Sequence, residues 1–244
     1  MNTDILFCGD THGRLQHVVD AALRLHPMAV VLLGDIESPR PLHVELAPIR
    51  DLVWWIHGNH DTDHPASYAH LYESELADRC IDGKVVTLAD GTRLAGLGGV
   101  FREKTWYPPA PARHQSYDDW LKTLQRGWQK REAMYQTQRL THRSSIYPET
   151  YLRLAAQRAD ILVSHEAGGS HPNGFDAIDE LAAVMDVQMT LHGHQHDHLN
   201  YDAKFQSLGF RAFGVGLRGI SNRNGEVIVP GERDAQRAAG RGVR

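Results

Sequence analysis

Three observations predict an α/β fold with two mixed β-sheets for this 244-residue chain. Five short apolar runs rich in Val, Ile and Leu recur along it, as strands covered on both faces require. A helical repeat separates the first two runs. Two pairs of β-rich segments flank turn signals, which adds antiparallel strands to the parallel ones.

Residues 4–8 (DILFC) form the first expected strand. Leu15, Val18, Val19, Ala22 and Leu23 then recur at helical spacing, and Pro27 stops that helix before the second strand, 28–33 (MAVVLL), which completes a βαβ unit. Residues 53–57 (VWWIH) are the third strand. KVVTL and TRLAGL flank Asp90-Gly91, a two-residue hairpin signal. Trp120, Leu124 and Trp128 follow at i, i+4 and i+8 and mark an amphipathic helix at about 118–142, with Gly127 its weak point. Residues 160–164 (DILVS) and 187–191 (VQMTL) are the fourth and fifth buried strands. SLGFRAFGV and EVIV flank a turn at Asn222 to Gly225 and add antiparallel strands. Residues 231–244 almost lack large apolar side chains and are expected to be a flexible tail.

The length suits one sizeable domain. A formal net charge of -4 gives no global attraction to nucleic acid or to an anionic membrane surface, so neither is an expected partner. Cys8 and Cys80, the two cysteines, are far apart in sequence, a pattern of reduced buried thiols. The N-terminus has no basic segment and only a few consecutive apolar residues, unlike a signal peptide or membrane anchor. A cytoplasmic protein is expected.

Polar blocks follow the apolar runs: GDTHG at 9–13, GD at 34–35, GNHD at 58–61, His165 and GHQH at 193–196. They offer Asp10, His12, Asp35, Asn59, His165, His194 and His196 as metal ligands. In open α/β sheets, binding groups gather beyond the carboxyl ends of the strands, so all five blocks point at one place. Glycines at 9, 13, 34, 58 and 193 let the backbone turn close to bound ions. Oxygen ligands mixed with imidazole suit Mn, Fe, Zn or Mg, with Mn favoured, and no thiolate is among them.

This order of blocks resembles the calcineurin-like metallophosphoesterases, whose pattern is DxH, GD, GNHD or GNHE, a single His, then GHxH. The resemblance spans roughly residues 4–200 and implies a four-layer αββα sandwich of two mixed β-sheets flanked by helices, with a binuclear centre. It implies one metal held by Asp10, His12, Asp35 and His196 and another by Asp35, Asn59, His165 and His194, with Asp35 bridging. His60 matches the family's non-ligand His, which interacts with the phosphate and assists the leaving group.

Two such cations clamp a phosphoryl oxygen as Lewis acids and lower the pKa of a bridging water, so hydroxide is available for in-line attack. A protonated His60 could then donate to the departing oxygen as general acid. One departure from the family's protein phosphatases matters. Their second block continues GDxxDRG, whereas here it reads GDIESPR, with Ser38 at the place of the Asp that orients the catalytic His, and GNHD stands where GNHE would. Glu37, Asp61 or Asp63 could orient His60 instead.

Residues 101–150 carry nine Lys or Arg against five Asp or Glu, and three of the five Trp. This basic, aromatic stretch is expected to be a helical cap inserted in a single domain spanning 1–230. From it Arg102, Arg113, Arg139 or Arg143 could reach substrate phosphate, Arg102 and Arg143 being the chosen candidates. His171 and His198 lie near the ligand blocks and could touch substrate or support a ligand.

The expected activity is metal-dependent hydrolysis of phosphomonoesters. A phosphodiesterase on cyclic nucleotides or other nucleotide esters is the alternative, and a non-catalytic binding module is disfavoured because all seven ligand positions hold competent residues.

Overall fold

A computed structural model describes residues 4–127 and 132–234. Trp128 and the tail from residue 235 lie outside the described residues.

Among the described residues, eleven strands fall in two sheets. β1 (Ile5–Cys8), β2 (Ala29–Leu33) and β3 (Val53–Ile56) are parallel neighbours, extended by β10 (Ile220–Asn222) and β11 (Val227–Val229) in the order β11-β10-β1-β2-β3. The second sheet runs β4-β5-β6-β7-β9-β8, from β4 (Lys84–Thr87), β5 (Arg93–Leu97), β6 (Ile161–Ser164), β7 (Met189–His192), β8 (Leu199–Asn200) and β9 (Arg211–Gly214). Strands β5, β6, β7 and β9 are parallel, with antiparallel β4 and β8 at the edges.

Alternation along the strands builds the layers. Ile5, Phe7, Val31, Leu33 and Ile56 face Leu94, Ile161, Val163, Leu191 and Phe213 in a core between the sheets. On the outer face of the first sheet, Leu6, Cys8, Val30, Leu32 and Trp55 pack under α1 (Gln16–Leu25), α2 (Leu42–Glu45) and the segment before α3 (Pro65–Tyr72). Ala95, Leu97 and Leu162 pack under α6 (Pro148–Ala155) and α7 (Asp176–Met185), which follow α4 (Tyr117–Gly127) and α5 (Glu132–Thr141) in the chain; a short α8 (Phe205–Leu208) precedes β9. The result is the four-layer αββα sandwich. Trp55, fully buried, donates its indole N–H to the Leu76 carbonyl at 2.8 Å, so truncating it would cost about 3–5 kcal/mol.

The five apolar runs all form strands, and α1 ends at His26 in the left-handed conformation, just before Pro27. Leu23, expected in the apolar stripe of α1, faces solvent instead. Around Asp90-Gly91 the hairpin forms, but Leu88 and Thr92 still pair, so its loop has an extra residue, with Asp90 accepting the Thr92 N–H at 2.9 Å. The C-terminal turn forms at Asn222, yet its first strand is Ile220–Asn222. The segment read as its partner contains β9, which pairs in parallel with β7 in the other sheet. Apolar content alone did not say which sheet would receive it.

In the region read as one helix at 118–142, α4 and α5 are the described helical stretches. Trp120 and Leu124 are buried with Tyr147, and Trp120 lies 4.2 Å, centroid to centroid, from the His142 ring. Among the described residues no helix is long and apolar enough to cross a membrane.

Candidate metal centre

Polar blocks leave the carboxyl ends of β1, β2, β3, β6 and β7 and meet at one edge of the sandwich. The first two are laced together: His12 N–H donates to the Asp35 carbonyl at 2.9 Å, Gly13 N–H to that of Ile36 at 2.8 Å, and Thr11 Oγ1 to the same Ile36 carbonyl at 3.1 Å. Gly34 has φ +95°, and a Cβ there would run into the His165 ring; one on Gly58 would run into Asp35. Both glycines are therefore needed for close approach.

Two groups of side chains converge. Asp10, His12, Asp35 and His196 offer ligand atoms within 4.8 Å of one another, and so do Asp35, His165 and His194. Asp35 belongs to both. Asn59 Oδ1 lies 3.3 Å from His165 Nε2, which places it beside the second group. His12 Nε2 is 3.2 Å from His196 Nε2, and His165 Nε2 is 3.5 Å from Asp35 Oδ1. Asp10, His12, Asp35, His194 and His196 all have positive φ, between 37° and 64°. Left-handed backbone is costly for such residues, and its concentration here marks strain held in place by the surrounding loops.

The residues fit divalent cations. Asp35 Oδ1 accepts the His60 N–H at 2.8 Å, but Oδ2 is buried with no hydrogen-bond partner. An ionised oxygen left bare in a buried site is costly unless a cation meets it. Burial pushes the carboxyls of Asp10 and Asp61 up to about 7, with neighbouring carboxylates adding to it. At His165 burial opposes the charge, yet Asp35 and then Asp10 outweigh it and raise the imidazole to about 10. Burial and the charge on His165 depress His194 to about 3; burial and then the guanidinium of Arg233 depress His196 to about 4. Buried carboxylates thus hold a proton on His165 while His194 and His196 stay neutral, and a cation at the cluster would take the place of that proton.

Outer contacts aim the rings. His165 Nδ1 donates to the Leu33 carbonyl at 2.8 Å, which turns Nε2 inward. His12 Nδ1 faces Glu37 Oε1 at 3.4 Å. Asp10 accepts the His194 N–H at 2.9 and 3.0 Å, and Glu166, buried beside His194, has Oε2 3.9 Å from its Nε2. The sequence reading missed Glu37 as a partner of His12 and missed Glu166; the available signal was a carboxylate two residues after one ligand and directly after another.

His60 lies at the mouth, its ring 5.9 Å from that of His12 and half exposed. Of the three acids that could orient it, Asp63 does so, with Oδ2 2.7 Å from Nδ1; Glu37 stands off at 3.9 Å. Asp61 is instead a buried brace that accepts the Glu37 and Gly58 N–H groups at 2.7 and 2.8 Å. Burial lowers the proton affinity of His60, but Asp35 and Asp63 more than compensate, so it is raised above the usual imidazole value.

Arg102 is largely buried near Asp63 and Glu166. Its Nη2 donates to Ser144 Oγ at 3.2 Å and its Nε has no partner. Ser144 also accepts from Thr62 Oγ1 at 2.7 Å, which ties the 142–147 segment to the GNHD turn. Arg143 is exposed and stacks over Tyr68 and Tyr117, at 5.1 and 5.0 Å from the ring centres. His171 is buried with its ring 6.1 Å from His192, and the His198 N–H is taken by Asp234 at 3.2 Å.

Comparison with known proteins bears on this arrangement. The family model for calcineurin-like phosphoesterases matches residues 3–198. An uncharacterized protein of Haemophilus influenzae is 32% identical over 231 residues, which cover 92% of this chain and 96% of the relative. The crystal structure of TT1561 of Thermus thermophilus superposes with a TM-score of 0.58 at 13% identity, over 95% of this chain and 99% of that one. The latter likeness is one of fold.

Proposed function

The chain belongs to the calcineurin-like phosphoesterase family, and from that premise we propose that it hydrolyses phosphomonoesters with two divalent cations. The observation that carries this reading is the bare, buried Oδ2 of Asp35 where the two ligand groups join. Asp10, His12, Asp35 and His196 would hold one cation; Asp35, Asn59, His165 and His194 would hold the other. Manganese is our first choice among Mn, Fe, Zn and Mg, because hard oxygens and imidazoles make up the whole set. When bound, the pair would supply Lewis-acid polarisation of a phosphoryl oxygen and acidify water for in-line attack.

Protein groups supply the rest. The Leu33 carbonyl and Glu37 fix the tautomers of His165 and His12, and Asp61 holds the two loops that carry Asp35 and Asn59 in register. His60, kept protonated by its acidic neighbours, donates to the leaving oxygen. Arg102, with its unpartnered Nε, takes phosphate oxygens from the side of Asp63. Arg143 is the second candidate, since stacking on Tyr68 and Tyr117 leaves its in-plane N–H groups for an anion. We read 101–150 as a cap on a single domain spanning 1–230, supported by the bonds from Ser144 to Thr62 and Arg102. Two buried free thiols suit the cytoplasm.

One observation favours nucleotide diesters as a second reading. Behind the loop that follows His165, a cavity of about 550 Å³ is lined by Trp106, Tyr107, Tyr151 and Phe175, surfaces on which a base could stack. Protein stripped of metal, reloaded with Mn, Mg, Zn or Fe, and assayed on an aryl phosphomonoester and an aryl phosphodiester decides between them. Hydrolysis of neither ester with any metal would refute the enzyme reading.

A further inference from the structure

The loop between β9 and β10, residues 215–219, is wedged between the first and last ligand blocks. Gly9 N–H donates to the Gly219 carbonyl at 3.1 Å, and the Arg218 N–H returns a bond to the Gly9 carbonyl at 3.0 Å. On the other side, Val215 N–H donates to the His192 carbonyl at 2.9 Å and Leu217 N–H to the His196 carbonyl at 3.2 Å. Arg218 lies in the left-handed region, with φ 55°. That conformation is costly for a residue with a Cβ, so the contacts on either side must hold it.

The side chain of Arg218 continues the same connection. Its Nε donates to the carbonyl of Thr11, the residue between Asp10 and His12, at 3.1 Å. Its Nη1 meets Glu232 Oε2 at 2.6 Å, and Glu232 is itself anchored: Oε1 meets Arg14 Nη1 at 3.1 Å and its N–H donates to the Leu217 carbonyl at 2.9 Å. Because a guanidinium is a rigid planar fork, bonding Nε to one group and Nη1 to another fixes the side chain. Asp10, His12 and His196, carried by the two blocks that this loop joins, form one ligand group with Asp35. Asn59 and His165 follow β3 and β6, in loops to which, among the described residues, Arg218 makes no hydrogen bond or ion pair.

We infer that Arg218, held by Glu232, is a positioning residue for the metal site of Asp10, His12, Asp35 and His196. Its side chain fixes the peptide that joins the two ligands of the first block, while its loop fixes the His196 backbone. Glu232 adds a second effect, since it cancels a positive charge that would otherwise repel the cation this group is suited to hold. The inference rests on the two-cation reading and deepens it.

The test titrates metal-free protein with Mn, following binding by calorimetry and by electron paramagnetic resonance, which distinguishes a coupled ion pair from a single bound ion. Wild type binds two equivalents. In Arg218→Ala one equivalent binds about 10- to 100-fold more weakly, as expected for loss of a group that orients ligands. At limiting Mn its single-ion spectrum matches that of His12→Ala rather than that of His194→Ala. The Mn concentration that half-activates hydrolysis of nitrophenyl phosphate rises by the same factor, and KM at saturating Mn stays within about twofold of wild type. Arg218→Lys recovers only part of the loss, because an ammonium cannot hold the Thr11 carbonyl and Glu232 in the fixed geometry of the fork. Glu232→Gln, at a half-exposed position, shows a smaller loss in the same direction and decides the matter if melting of metal-free Arg218→Ala shows that it does not fold. Equal weakening of both equivalents, a spectrum matching His194→Ala, or wild-type Mn binding in these variants would overturn the inference. Wild-type protein that binds none of Mn, Mg, Zn or Fe would remove the two-cation reading itself, a result distinct from indifferent variants of a protein that binds two ions.

Discussion

His60 Nδ1 lies 2.7 Å from Asp63 Oδ2, so the carboxylate that steers this ring comes from its own turn, three residues on. Ser38, at the position where protein phosphatases of the family carry an orienting Asp, bonds the Arg40 carbonyl instead. Asp63 is the carboxylate that meets the ring here.

Asp63→Asn therefore keeps the metals but loses rate, by about tenfold on alkyl phosphoesters and less on nitrophenyl esters, as expected for weakened general-acid help. Glu37→Gln behaves differently, because Glu37 faces His12 Nδ1: metal affinity falls about 10- to 100-fold. Parallel metal analysis and kinetics on both esters separate the two variants; identical profiles would mean that the pair of acids shares one role.

Asp35 contributes to both ligand groups and leaves one oxygen bare. Asp35→Asn is expected to lower activity by more than about 100-fold, since even partners of ligands are worth 10–100-fold. It should also lower metal content more than His194→Ala, which touches one group. Elemental analysis after equilibration at limiting metal provides the check, and two equivalents retained in the Asn variant would refute the bridging role.

The convergence of the candidate ligands was legible in the sequence because each sits one to five residues beyond an apolar run that becomes a strand, so local order carried the pattern. Choosing among Glu37, Asp61 and Asp63 was beyond it: all three lie within a few residues of a ligand, and only the packing of two loops sends Asp61 to backbone N–H groups and Asp63 to the ring. The bonds of residues 231–234 were beyond it for a related reason. Their anchors are ion pairs and backbone bonds to Arg14, Arg218 and His198, which leave no apolar signature. The strand β9 was assigned to the wrong partner because its apolar run fits either sheet.

His142 gives the packing of α4 a pH dependence. It is buried against Trp120, and burial, then the charge on Arg102, lower its pKa to about 4. The unfolded chain takes up a proton near the ordinary value of ~6.5, before the folded one does, so stability falls as pH drops from there and levels off below about 4. The shift corresponds to at most about 3 kcal/mol. Melting temperatures of metal-free protein from pH 7.5 to 4 should decline less steeply in His142→Gln, whose amide can still meet Ser145 Oγ. Parallel curves for the two proteins would rule His142 out as the titrating group.

General-acid catalysis by His60 is best tested by changing the leaving group. A nitrophenolate departs readily without a proton, whereas an alkoxide such as a serine or ribose oxygen needs one as the bond breaks. Help of this kind is typically worth about 10²–10⁴-fold and is concentrated on poor leaving groups. His60 is half exposed at the mouth and held by Asp63, so its replacement need not disturb the ligand groups; only its backbone N–H touches Asp35, and that survives substitution. His60→Asn should therefore retain both metals, lose most of its rate on alkyl phosphoesters, and lose markedly less on nitrophenyl esters. Equal losses on both would show that His60 stabilises phosphate charge. The proton donor would then have to be sought among groups that can reach the leaving oxygen. His171 is a poor substitute, because it is buried and its Nδ1 already accepts the Asn173 N–H at 3.0 Å.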